Sequence, residues 1–217
     1  MKRLDNILGL ALEKLKPLYI VASEDRYILS EFKDKFVENY VDENIRDFNY
    51  TYLEDSEDFP VLLKNRANTP PVMSGKRFIL ARTSGYFTEK QEKDELIVSL
   101  FKNYPGTTIT VILVDGKLKN TLKTVKAAAE IGEIIEISAP RFAELDKWIA
   151  AEFQKRGKKI DQMSVKFLEE MFSNNLQRLE SEIEKISIYN YDKDIIDINS
   201  IISIVSRDRL YEDSLGF

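Results

Sequence analysis

TPPVMSGKRFILAR, residues 69–82, divides into two halves of opposite character. Its second half, Arg77 to Ala81, reads RFILA, a short apolar run of the kind that forms a strand buried on both faces of a parallel sheet. In the first half Pro70 and Pro71 stiffen the backbone, while Ser74 and Gly75 permit a sharp turn. Between them sit two apolar side chains, Val72 and Met73. Apolar residues on a stiffened turn either fold back into the domain or face a partner. From spacing alone the folded-back arrangement is expected, because side chains of this type are more often buried.

Outward from this stretch, strand and helix patterns alternate. Residues 4–16 carry Leu4, Ile7, Leu8, Ala11, Leu12 and Leu15 at helical spacing, and Pro17 ends that pattern. LYIVA (18–22) reads as a buried strand and SEDRYILSEFKDKFVENY (23–40) as a helix with Leu29, Phe32, Phe36 and Tyr40 on one face. FNYTYL (48–53) predicts a strand and SEDFPVLLKNRAN (56–68) a helix. After RFILA come a helix in EKQEKDELIVSLFKNY (89–104), stopped by Pro105-Gly106, and the long β-branched run TTITVILV (107–114). LKNTLKTVKAAAEIG (118–132) reads as a helix and EIIEI (133–137) as a fifth strand. Such alternation, with connections long enough for crossovers, predicts a parallel sheet covered by helices on both faces.

The pattern changes at Ser138-Ala139-Pro140, beyond which no long strand is expected. Leu145, Trp148, Ile149 and Phe153 make one helical face, closed by Lys155-Arg156-Gly157. Asp161 can cap a second helix bearing Val165, Leu168 and Phe172. Leu176, Leu179, Ile183 and Ile186 mark a third helix. Asp197 can cap a fourth through Ile201, Ile202 and Val205. The expected division is therefore an α/β domain over residues 1–139 and a small all-α domain over 140–217.

The 217 residues are 43% hydrophobic and 32% charged, which suits a soluble globular chain of one or two domains. A net charge of −5 argues against a protein whose main role is coating nucleic acid. No apolar run approaches a bilayer span and the N-terminus lacks a cleavage pattern, so a cytoplasmic location without membrane association is expected. Histidine and cysteine are both absent. That composition excludes zinc sites built on those ligands, thiol nucleophiles and Ser-His-Asp triads.

A doubly wound sheet invites a nucleotide at the first strand-to-helix turn, where glycines and a helix N-terminus hold phosphate. Here that turn is ASEDR, residues 22–26, and no glycine occurs between Gly9 and Gly75. Glu24 and Asp25 instead place carboxylates at the helix start, satisfying its dipole and repelling phosphate. The phosphate-loop pattern is absent, since Gly75-Lys76 is followed by Arg77 and Pro70 stands where its first glycine belongs. Asp115, at the end of TVILVD, resembles a strand-end magnesium ligand. Followed by Gly116 and with no phosphate loop to serve, it is better read as a turn former. No cofactor and no catalytic site are expected.

The ordered series of segments resembles a known family. YIVASEDRYILSEF (19–32), VMSGKRFIL (72–80), ELDKWIAAEFQKRGKKID (144–161), NNLQRLESEIEKISIY (174–189) and IISIVSR (201–207) are similar to successive elements of the delta subunit of bacterial DNA polymerase III, a clamp-loader component. The resemblance covers essentially the whole chain. It implies a five-stranded AAA+/RecA-like domain and a helical lid that together neither bind nor hydrolyse ATP. It further implies that the protein binds and opens the ring-shaped sliding clamp (the beta subunit). As a polymerase subunit, such a protein is grouped with the nucleotidyltransferases.

In the family a pair of large apolar side chains before the third strand wedges into the clamp. Those positions fall on Val72 and Met73, with Pro71 and Ser74 beside them, where the family usually has a leucine and an aromatic. The lid arginine of active AAA+ modules falls on Gln177, next to Arg178. The family continues into a collar domain that assembles the other clamp-loader subunits around primed DNA, so this chain is expected to be a fragment. Lys33, Lys35, Lys117, Lys119, Lys123 and Lys126 could touch DNA in that assembly, although a solvated helix face is the commoner explanation of any one of them. Alternatives are a non-catalytic AAA+-like scaffold or another loader subunit such as delta prime, whose usual cysteine-bound zinc module this chain cannot form.

Overall fold

A computed structural model of the chain describes residues 2–172 and 175–204. The chain divides into two compact units, Met1–Ala139 and the remainder from Pro140.

In the first unit five strands form: β1 (Leu18–Ser23), β2 (Tyr50–Leu53), β3 (Arg77–Thr83), β4 (Thr108–Asp115) and β5 (Gly132–Glu136). They pair in parallel in the order β2-β3-β4-β1-β5, which makes β1, β3 and β4 interior and leaves β2 and β5 at the edges. Six helices accompany them: α1 (Lys2–Leu8), α2 (Arg26–Tyr40), α3 (Arg46–Asn49), α4 (Phe59–Ala67), α5 (Asp94–Lys102) and α6 (Lys123–Ile131).

The alternation of a strand's side chains assigns the faces. Leu18, Ile20 and Ala22 of β1, Ile79 and Ala81 of β3, and Ile112 and Val114 of β4 share one core with Phe59, Leu63 and Ala67 of α4, with Ile97 and Phe101 of α5, and with Val125 and Ala128 of α6. The other face carries Phe78, whose ring meets Phe36 of α2 edge-on at 6.2 Å. Two buried hydroxyls tie strand and helix ends to neighbouring backbone: Thr108 Oγ1 donates to Ala67 O and Thr124 Oγ1 to Tyr86 O, both at 2.8 Å. Burial on both faces is why β3 and β4 read as unbroken apolar runs.

Several expected bounds need correction, among them the starts of α5 and α6, which fall five residues late at Asp94 and Lys123. The N-terminal helix stops at Leu8, where Gly9 intervenes, and only a single 3-10 turn over Leu12–Lys14 follows. Glycine's conformational freedom disfavours helix continuation there despite the periodic leucines. The strand expected from residue 48 begins at Tyr50, because Phe48 and Asn49 belong to the short helix α3.

The second unit contains α7 (Ala143–Lys155), α8 (Gln162–Phe172) and α9 (Leu176–Tyr189), and a further helical stretch is described over 198–204. Gly157 adopts φ +72° after α7, the left-handed conformation that ends a helix and that glycine enters without a Cβ penalty. Asp161 and Asp197 act as N-caps, accepting from Ser164 N and Ser200 N, each at 2.8 Å. Ile201 is buried while Ile202 is exposed, and Val205 lies outside the described residues. Between the helices runs a small parallel pair, β6 (Lys159–Ile160) with β7 (Ile195–Ile196), too short to leave a sequence signal. Lys158 Nζ donates to the carbonyls of Asn190, Tyr191 and Lys193 at 2.7–2.9 Å, fastening the chain after α9 beside this pair.

Residues 137–141, joining the units, have no regular secondary structure, and Phe142 beyond them is exposed with φ +51°. Limited chymotryptic digestion is therefore expected to cut at Phe142 before any site in Arg77–Thr83. Earlier cleavage within β3 would contradict separate packing of the two units.

Candidate functional site

Among the described residues of the first unit, the turn between α4 and β3 carries the most exposed large apolar side chain. Met73 is 92% accessible and Val72 45%. Both point outward, so the folded-back arrangement expected from spacing alone is not adopted. The backbone explains the difference. Met73 has φ +53°, a left-handed conformation that costs a side-chain-bearing residue roughly 1–2 kcal/mol. Val72 is held by its peptide groups, with its N–H donating to Asn49 Oδ1 and its carbonyl accepting from Asn49 Nδ2, both at 2.7 Å.

The C-terminal side of the turn is closed on itself and tied to the loop before β4. Ser74 Oγ accepts from Lys76 N at 3.3 Å and donates to Lys76 O at 3.1 Å, closing the turn just before β3. Lys76 Nζ reaches Gly106 O at 2.7 Å. Pro71 is half-buried and Pro70 exposed, so the chain enters the turn with two backbone φ angles fixed. Arg77, the first residue of β3, is buried, and its guanidinium donates to Phe48 O at 2.9 Å. Burial lowers its pKa, with Arg66 nearby acting in the same direction, yet an arginine remains charged at any ordinary pH. Phe48 itself is 60% exposed at this corner.

Pro71, Val72, Met73 and Ser74 thus lie together in one short, tethered turn. Asn49, Arg77 and Phe48 were missed. Asn49 lies 23 positions before Val72, and inside an apparent strand it carried no local signal.

The opposite ends of the strands hold the residues weighed for phosphate and magnesium. Ser23 Oγ accepts from Asp25 N at 3.1 Å, and Asp25 Oδ1 caps α2 by accepting from Tyr27 N at 2.9 Å. Glu24 pairs with Lys117 at 3.4 Å. Asp115 is engaged by Arg82 through two bonds, Nε to Oδ2 at 3.0 Å and Nη2 to Oδ1 at 2.7 Å, with Arg26 at 3.8 Å. The hydrogen bond to Asp115 raises the Arg82 pKa further. A fork-to-fork pair of this kind neutralises the carboxylate within the fold. Among the described residues no group of three or more acidic side chains is placed to hold a metal ion.

Of the lysines considered for DNA contact, Lys33 pairs with Asp34, Lys35 with Glu31, Lys117 with Glu24 and Lys123 with Glu95. Gln177 and Arg178 are exposed near the start of α9, where Arg178 lies over the Phe172 ring at 5.4 Å. Among the described residues no helix is long and apolar enough to cross a membrane.

Comparison with known proteins points one way. A family model described as DNA polymerase III, delta subunit, matches residues 19–138. The DNA polymerase III subunit delta of Bacillus subtilis is 24% identical over 204 residues, covering 89% of this chain and 58% of that protein. A probable delta subunit of Aquifex aeolicus is 20% identical over 199 residues, covering 85% of this chain and 53% of its own. The chain therefore spans somewhat more than half the length of these relatives. Among solved structures, the Bacillus subtilis DNA clamp loader delta protein superposes with a TM-score of 0.71 at 20% identity, covering 94% of this chain and 62% of that one. A Thermotoga maritima RuvB variant superposes with a TM-score of 0.52 at 9% identity, covering 93% and 66%. At such identities the superpositions establish the shared AAA+ type of fold.

Proposed function

The chain belongs to the DNA polymerase III delta-subunit family, and from that premise we propose that it binds and opens the sliding clamp of DNA replication without binding ATP. The observation that carries this reading is Met73, strained and 92% exposed on a turn whose backbone is pinned from within. A fold gains nothing by straining a residue in order to hold methionine in water. A partner pocket that takes up the side chain makes sense of both costs. Burial of the almost fully exposed Met73 contributes on the order of 1.5–3 kcal/mol, burial of the remaining exposed part of Val72 adds a fraction of that, and Pro70 and Pro71 reduce the ordering entropy that opposes it. Driving such a wedge into one interface of a ring weakens that interface. The energy comes from apolar burial and needs no nucleotide.

Two observations support the absence of ATP binding. The amide at the start of α2 that phosphate would meet is capped by Asp25, and the strand-end carboxylate Asp115 is neutralised by Arg82. The sequence carries no phosphate loop and the described residues hold no metal-binding cluster, which supports reading the chain as a non-catalytic subunit. ATP would act through the other clamp-loader subunits, which join through a collar domain. Contact with primed DNA is then indirect, and the acidic partners of Lys33, Lys35, Lys117 and Lys123 fit that assignment.

Titration with the sliding clamp of the same organism should give saturable binding. Calorimetry with Mg-ATP should give no saturable heat at millimolar nucleotide. Micromolar ATP binding would overturn the nucleotide-free reading, and absence of clamp binding would overturn the assignment of the partner.

A further inference from the structure

We infer that Asn49 is the positioning residue of the docking turn, and that its side-chain amide sets the outward pose of Val72 and Met73. The inference rests on the clamp-binding reading of that turn. Asn49 is 2% exposed, so its polar atoms have no recourse to bulk water and need partners inside the fold. Both partners lie on one residue: Oδ1 accepts from Val72 N and Nδ2 donates to Val72 O, each at 2.7 Å. An asparagine here imitates a passing strand, offering one acceptor and one donor to the two peptide groups of Val72. Aspartate of the same length presents two acceptors, and alanine presents neither.

The amide is held on firm ground. Asn49 ends α3, and the next residue, Tyr50, opens β2 in register with Phe78 of β3. The carbonyl just before it, that of Phe48, is fixed by the buried guanidinium of Arg77. The turn is thereby referenced to the sheet from two sides, through Asn49 at Val72 and through Ser74 at Lys76. With Val72 so fixed and β3 starting at Arg77, Met73 takes its left-handed conformation and its side chain stands in solvent. Without Asn49 the turn is free to relax, and Met73 can leave the left-handed region and cover itself. A binder then has to order the turn again on contact, which weakens affinity.

The test compares Asn49→Ala, Asn49→Asp, the double variant Val72→Ser/Met73→Ser, and Asn49→Ala in that double background. Clamp affinity and Val72 amide exchange are the two readouts. Asn49→Ala is expected to weaken clamp binding by about tenfold, the equivalent of one buried hydrogen bond. It should also speed Val72 exchange while Ile79 and Leu80 of β3 stay protected. Asn49→Asp, which keeps the acceptor and loses the donor, should weaken clamp binding in the same direction. In the double-serine background Asn49→Ala should cause no further loss, because a positioning residue has nothing left to position.

Where the double-serine variant loses clamp binding, parent-like clamp binding by both Asn49 variants would overturn the inference. So would an equal loss in the double-serine background, which would place the effect elsewhere. If the double-serine protein binds the clamp like its parent, the clamp assignment of the turn fails separately. Val72 exchange then still decides for Asn49: acceleration in Asn49→Ala upholds its hold on the turn, and unchanged exchange removes it.

Discussion

Replacing Val72 and Met73 together by serine is expected to weaken binding to the sliding clamp by at least about tenfold, or about 1.4 kcal/mol, with the fold intact. The two side chains supply apolar area on a turn whose position is set by other residues. Val72 is held through its backbone by Asn49, and the turn is closed by Ser74. Serine at 72 and 73 keeps those backbone bonds and removes what a pocket would take up. Since Met73 is 92% exposed, the loss of its side chain takes little from the core. Thermal unfolding of the variant should match the parent. Met73→Gly makes a sharper comparison, because glycine enters φ +53° without a Cβ penalty. It should fold at least as stably as the parent and bind the clamp more weakly, separating what the turn costs from what it contributes. A double-serine variant that binds like its parent would place the wedge elsewhere.

The largest stability effect is expected at Gly132. This residue opens β5 beside Leu18 of β1, and a Cβ added there would lie 2.3 Å from Leu18 O and 2.9 Å from Leu18 Cβ. The nearest obstacle is backbone in an interior strand, which cannot swing aside as a side chain can. Gly132→Ala must therefore separate β5 from β1, and a loss of roughly 3 kcal/mol or more follows, a large part of the stability of an ordinary domain. Urea unfolding of the first unit should show a much lower midpoint. Gly75→Ala is the matched control, since nothing lies within 4 Å of its added Cβ. Equal midpoints for the two variants would mean that the β1–β5 contact is looser than described.

The strands could be read because interior parallel strands are apolar on both faces. RFILA and TITVILV announce themselves by composition, and each strand ends within a residue or two of its apolar run. Edge strand β2 was harder. FNYTYL alternates like a strand from its first residue, but Phe48 and Asn49 close a helical turn instead. Nothing local distinguishes the two, because the decisive bonds join Asn49 to Val72 and Arg77 to Phe48 across the fold.

The turn that carries Val72 and Met73 shows the same limit from another side. Spacing alone favoured a folded-back Val72 and Met73, because burial is the commoner fate of such residues. Their outward pose depends on a backbone conformation that the sequence of the turn does not encode by itself. Asp115 could be dismissed as a metal ligand from the missing phosphate loop. That Arg82 neutralises it required a pairing between neighbouring strands to be known.

The most direct test is release of trapped rings. Sliding clamps are placed on circular DNA, from which a closed ring cannot slide off, and the chain is added without nucleotide. A protein that wedges open one ring interface through Val72 and Met73 should speed loss of clamp from the circles in proportion to its occupancy, and Mg-ATP should not change the rate. Rings that stay on the DNA at the unassisted rate, although the chain is bound to them, would contradict ring opening by this turn.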